Sequence, residues 1–196
     1  MKTDLFLTTI RSYSRFTEEE ALLFLSFFTE KKFKKNVPLL EAGAVAHELF
    51  LIVKGATRQC FDTEQGIQRT CNFSFEGDFI TDLESFSRQS RSSTSIIALE
   101  PTECLSIRCT EVVAAMQQSA AIGTFFRAIV EKVAQENIGR TKSLLSLSPD
   151  KQFEELIKGK PGLLQRVPQR YIAQYLGLAP ESLSRIRKKM MEVAKS

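Results

Sequence analysis

Between Gln169 and Lys189 the chain reads QRYIAQYLGLAPESLSRIRKK, and no other stretch leaves it fewer ways to fold. Apolar residues fall at Ile172, Leu176, Leu178, Leu183 and Ile186, a helical rhythm interrupted once, at Gly177. A glycine there ends the first helix in a conformation with φ > 0. Pro180 then restarts a second helix in its first turn, where a missing N–H costs nothing. Ala173 is small enough for the two helices to cross closely. The spacing therefore predicts two short helices joined by a tight turn, the helix-turn-helix pattern. Opposite the apolar face, Glu181, Ser182, Arg185 and Lys189 recur at i, i+1, i+4 and i+8, and so share a side of the second helix.

Charge reinforces this reading. The whole chain of 196 residues carries only +4, but residues 151–196 hold ten Lys+Arg against four Asp+Glu, while residues 1–150 hold 17 against 19. A basic tail suits a polyanion as well as a plain solvated surface. The turn pattern favours the polyanion, and double-stranded DNA is the expected partner. The candidate contacts are Gln169, Arg170, Glu181, Ser182, Arg185, Lys188 and Lys189.

Upstream the rhythm changes. Residues 36–107 alternate short β-type runs, LFLIVKG, TCNFSFEGDFI and STSIIALEPTECLSI, with glycines at 43, 55, 66 and 77. That spacing predicts an all-β barrel or jelly roll. Ahead of it, Thr17 and Glu20 form a capping box before Ala21, Leu22, Leu25 and Phe28. Behind it, Thr110 is expected to cap a short helix through Met116, and Ser119 a long one. In the long helix Ile122, Phe126, Ile129, Val133, Asn137, Arg140 and Leu144 recur at steps of three and four. Such a stripe fits pairing with a second copy of the helix, or burial in the core of one protomer. The first reading makes Ile122, Phe126, Ile129 and Val133 a dimer interface. The expected fold class is α+β, with residues 1–118 as the β-roll domain, 119–147 as the dimerisation helix and 148–196 as the helix-turn-helix domain.

Composition excludes several functions. Cys60, Cys71, Cys104 and Cys109 show no C-x-x-C spacing, and His47 is the sole histidine, so neither a metal site nor a catalytic triad is expected. No cofactor is implied and no enzyme is expected. With no signal-like start and no apolar run of about 20 residues, a cytoplasmic protein without a membrane partner is the expectation.

The capped N-terminal helix, the glycine-punctuated roll, the long helix and YLGLAPESLSRIRKK together resemble the Crp/Fnr family of bacterial regulators, in a form similar to those of Bacteroidetes-type bacteria. The resemblance implies a homodimer on a near-palindromic operator, with RNA polymerase a further candidate partner. The family's usual recognition helix opens with an arginine; Pro180 stands there, while Glu181 and Arg185 match the next two diagnostic positions. The resemblance also implies an effector pocket. Cyclic-AMP-binding members carry a cassette reading roughly F-G-E-L, followed by R-S-A or R-T-A. Here FITDLESF supplies Thr81, Asp82 and Leu83, and the second part aligns on Ser92 and Ser93, with Arg91 one residue early. Asn137 falls near the family's adenine contacts. An arginine displaced by one position in a strand faces the other way, so cyclic AMP is not the expected ligand and the effector is open. Iron–sulfur sensing is not expected either, because the first cysteine is Cys60, inside the roll. The competing function is a cyclic-nucleotide or other small-molecule sensor that works through protein contacts without binding an operator.

Overall fold

A computed structural model describes residues 2–193. Two helices, α1 (Lys2–Tyr13) and α2 (Glu18–Ser26), lead into the strands β1 (Thr29–Phe33), β2 (Pro38–Leu40), β3 (Glu48–Lys54), β4 (Thr57–Asp62), β5 (Gln68–Ser74) and β6 (Phe79–Ile80). A short helix α3 (Leu83–Arg88) precedes β7 (Ser95–Ala98) and β8 (Thr102–Arg108). Six helices follow: α4 (Cys109–Gln118), α5 (Ala120–Ser146), α6 (Pro149–Gly159), α7 (Leu163–Arg166), α8 (Gln169–Leu176) and α9 (Pro180–Val193). The strands form two four-stranded sheets, ordered β1-β8-β3-β6 and β2-β7-β4-β5, with antiparallel pairing throughout. Two facing sheets hide alternate side chains between them, and the all-β expectation for residues 36–107 becomes a jelly roll. At the β3–β4 turn Gly55 has φ +107°, and a Cβ there would stand 2.6 Å from Thr102 Oγ1, so only glycine fits.

The capping box of α2 forms as expected: the Glu20 amide donates to Thr17 Oγ1 at 3.2 Å and the Thr17 amide to the Glu20 carboxylate at 3.0 Å. The short helix α4 starts at Cys109, one residue before the expected cap Thr110. Ser119 caps α5 by accepting from the Ala121 amide, and its hydroxyl donates to Glu20, tying the starts of α2 and α5 together.

The stripe along α5 divides. Ile122 is fully buried and Ile129 nearly so, both within the core that the roll shares with Phe6 and Ile10 of α1 and Phe24 of α2. They are therefore corrected from dimer contacts to protomer core: α1 and α2 close over that face of α5, while Thr124, Arg127 and Val130 on its other face are exposed. Phe126 and Val133 pack against the same core but stay partly exposed. The rest of α5 is open to solvent along most of its length, with Val130, Ile138, Leu144 and Leu145 exposed.

A second core joins the roll to the C-terminal helices. Ala56, Phe73 and Leu99 of the roll are buried together with Phe153 and Leu156 of α6, Leu163 of α7, Ile172, Ala173 and Leu176 of α8, and Leu183 of α9. The rings of Phe73 and Tyr175 meet at 5.5 Å.

Candidate nucleic-acid interface and roll cavity

The α8–α9 pair is built by the residues that single it out in the sequence. Gly177 ends α8 in the left-handed region at φ 69°, and the Leu178 amide donates to the Ala173 carbonyl at 2.9 Å. Pro180 opens α9, while Ile172, Ala173, Leu176 and Leu183 are buried beneath the turn. Glu181, Arg185, Lys188 and Lys189 are exposed and Ser182 is half-buried, so the side chains expected to meet DNA are free to do so. Lys189 is engaged by Asp150 of α6 at 2.9 Å, an exposed ion pair that water competes with. At the start of α8, Arg170 is exposed and donates to the Tyr171 hydroxyl at 2.9 Å, and Gln169 is half-buried.

A cavity of about 860 Å³ lies where the roll, α5 and the C-terminal helices meet. Of the expected pocket residues, Thr81, Asp82, Leu83 and Asn137 line it; Arg91, Ser92 and Ser93 do not. Arg91 and Ser93 are exposed, and Arg91 pairs its backbone with Val45 in an isolated bridge outside the named strands. Ser92 is buried and points to Asp82 instead.

Asp82 is the polar centre of that wall. Its carboxylate accepts from Ser92 Oγ at 2.7 Å, Thr94 Oγ1 at 3.0 Å and the Ser85 amide at 3.1 Å, capping α3. Burial works to raise its pKa, but the donors from Ser92, Ser85 and Thr94 outweigh burial and hold the carboxyl below the ordinary carboxylate range. The donors that an external anion would need are thus already taken by an internal one. Thr81 donates its hydroxyl to the Glu48 carbonyl at 2.9 Å.

Three cations line the cavity: Lys132, which donates to the Tyr13 hydroxyl at 2.9 Å, and Arg140 and Lys160, each of which donates to a backbone carbonyl. Arg140 reaches the Tyr175 carbonyl at 2.7 Å and lies 3.4 Å over that ring, while Lys160 reaches the Phe73 carbonyl at 2.5 Å. Burial lowers the pKa of Arg140 and of Lys160. Below them, Arg166 of α7 binds both oxygens of Glu76 at 2.7 and 2.8 Å, pairs with Glu100, and lies 5.1 Å from the Phe75 ring. Nothing in the sequence pattern marked Arg166, Glu76 or Glu100, because the partners stand 66 and 90 residues apart.

Residues 30–119 match the profile of the cyclic nucleotide-binding domain. Solved structures extend the likeness of fold beyond that domain. The catabolite activator protein of Thermus thermophilus is 20% identical, with a TM-score of 0.59 over 91% of this chain and 85% of its own. FixK2 of Bradyrhizobium japonicum is 16% identical, with a TM-score of 0.73 over 85% of this chain and 86% of its own. CLP, the c-di-GMP responsive global regulator of Xanthomonas campestris, is 14% identical, with a TM-score of 0.70 over 91% and 93%. By sequence, no curated protein matches the chain significantly. The fold expected from the Crp/Fnr resemblance is therefore present: the cyclic nucleotide-binding profile covers the roll, and the overall fold matches these three structures. Among the described residues no helix is long and apolar enough to cross a membrane.

Proposed function

We propose that the protein is a DNA-binding transcription regulator of the Crp/Fnr type, acting as a homodimer on a near-palindromic operator. The observation that carries this reading is the α8–α9 pair: a buried crossing at Ala173, a left-handed turn at Gly177, and a second helix whose Glu181, Arg185 and Lys188 are exposed. Two proteins of like fold support it, one a catabolite activator protein and one a global regulator that links cell-cell signalling to virulence gene expression. In this reading residues 148–196 contact DNA, and the outer part of α5 pairs with its copy through Phe126, Val133, Val130 and Ile138. A two-fold axis there presents two α9 helices to half-sites about one helical turn apart. The roll is a modified effector domain that does not bind cyclic AMP, since Ser92 brings no positive charge and Asp82 already occupies its donors.

Selection of bound fragments from host genomic DNA tests the reading. The wild-type protein is expected to enrich a palindromic motif whether or not cyclic AMP is present. Arg185→Ala should lose about 1–3 kcal/mol and relax preference at one base pair, because a bidentate arginine–guanine pair is worth that much. Equal loss on every sequence would make Arg185 a phosphate contact. No enriched motif at all would favour a sensor working through protein contacts, and a motif seen only with cyclic AMP would overturn the reading of the roll.

A further inference from the structure

The seam between the roll and the C-terminal helices holds two arginines in opposite situations. Arg166 is compensated: its side chain is 28% exposed and it is shared between Glu76 and Glu100. Arg58, on β4, is 5% exposed and lies 4.0 Å over the ring of Tyr171 on α8. One of its nitrogens donates to Gln68 at 2.6 Å, but Nε and Nη1 have no partner, and among the described residues no carboxylate forms an ion pair with it. A buried guanidinium without a counter-ion opposes the packing that buries it, and an aromatic face offsets only part of that cost.

Lifting α8 from β5 would return Arg58 to water. The same movement would expose Phe73 and Leu99, and break the Arg166 fork and the Thr70–Gln174 hydrogen bond of 3.1 Å. The seam therefore contains one group that favours opening among several that favour closure. We propose that the contact between α8 and β5 is a releasable latch, closed by Arg166 and opened by Arg58, so that the α6–α9 unit exists in docked and released forms. Phe75 and Tyr175 line both the cavity and the seam, so an occupant of the cavity touching both holds the latch shut. The latch rests on these contacts within the chain and stands whether or not α9 binds DNA.

Amide hydrogen exchange on the full chain tests it, with α8 (169–176) and β5 (68–74) as reporters and β3 (48–54) as an internal reference. Arg166→Met should speed exchange in α8 and β5 by about tenfold and leave β3 unchanged. Arg58→Met, which keeps the length and removes the charge, should slow the same amides. If Arg166→Met unfolds the chain, Glu76→Gln with Glu100→Gln removes the ion pairs at constant shape and should give the same local release. The latch is refuted if Arg58→Met exchanges at the wild-type rate or faster, if neither pin variant changes α8, or if β3 loses protection in step with α8 in both. None of these readouts involves DNA, so failure here is distinguishable from failure of the operator reading.

Discussion

Two buried charges on one roll meet opposite fates. Asp82 is 8% exposed and Arg58 is 5% exposed, so burial does not separate them. What separates them is how many of their polar atoms find partners. Asp82 gathers two hydroxyls and a backbone amide, and the surrounding loop is pinned to α3. Arg58 satisfies one nitrogen and leaves two unmet. A charge buried with all its partners stiffens a structure, whereas one buried without them stores a bias toward a more open form. The first lies at the wall of the cavity, where the fold is asked to hold still. The second lies under α8.

Removing each charge should therefore move stability in opposite directions. The largest effect is expected from Asp82→Ala, which takes the acceptor from the Thr94 hydroxyl and the Ser85 amide and leaves the Ser92 hydroxyl to the Thr94 carbonyl at 2.8 Å. A loss of about 3 kcal/mol in urea unfolding is the expectation, and a loss below about 1 kcal/mol would show that the network is replaceable by water. Arg58→Met should raise stability by about 1–2 kcal/mol in the same assay, since apolar replacements of uncompensated buried charge tend to stabilise. A destabilised Arg58→Met would erase the contrast. The smallest effect should appear on acidification. The Asp82 carboxyl is held below its unfolded pKa of about 3.9, so its contribution is fully present above that value and is lost as pH falls through the lower folded one. Asp82→Ala should show a shallower decline over that window, and equal slopes would place the acid sensitivity elsewhere.

The contrast also explains what could be read from the residues alone. The Gly177–Pro180 turn and the Thr17–Glu20 box are made by neighbours in the chain, so local chemistry sufficed to place them. The face of α5 was harder. Its stripe is compatible with a dimer seam or a core, and the decision belongs to α1, whose buried residues Phe6 and Ile10 give too faint a rhythm to announce a helix in the sequence. The cassette was half legible: Thr81, Asp82 and Leu83 follow β6 directly and fall on the cavity wall, while Arg91 and Ser93 lie across a loop whose path no short pattern dictates. The seam was invisible, because Thr70 and Gln174 meet across 104 residues and each looks like an ordinary surface polar residue until the chain closes.

The shared second core has a consequence for inheritance and for engineering. Chains built from two units in series invite recombination, in nature or at the bench, by a cut in the connection between them. Here such a cut, made anywhere near Leu147, would separate Phe73 and Leu99 from the residues that cover them. A graft of the C-terminal helices onto a foreign roll would carry an uncovered oily face unless β5 and the Ala56 and Leu99 turns travelled with it. The smallest exchangeable piece of this protein is therefore not the segment that reads as a module along the chain, but that segment together with one face of a β-sheet encoded some hundred residues upstream.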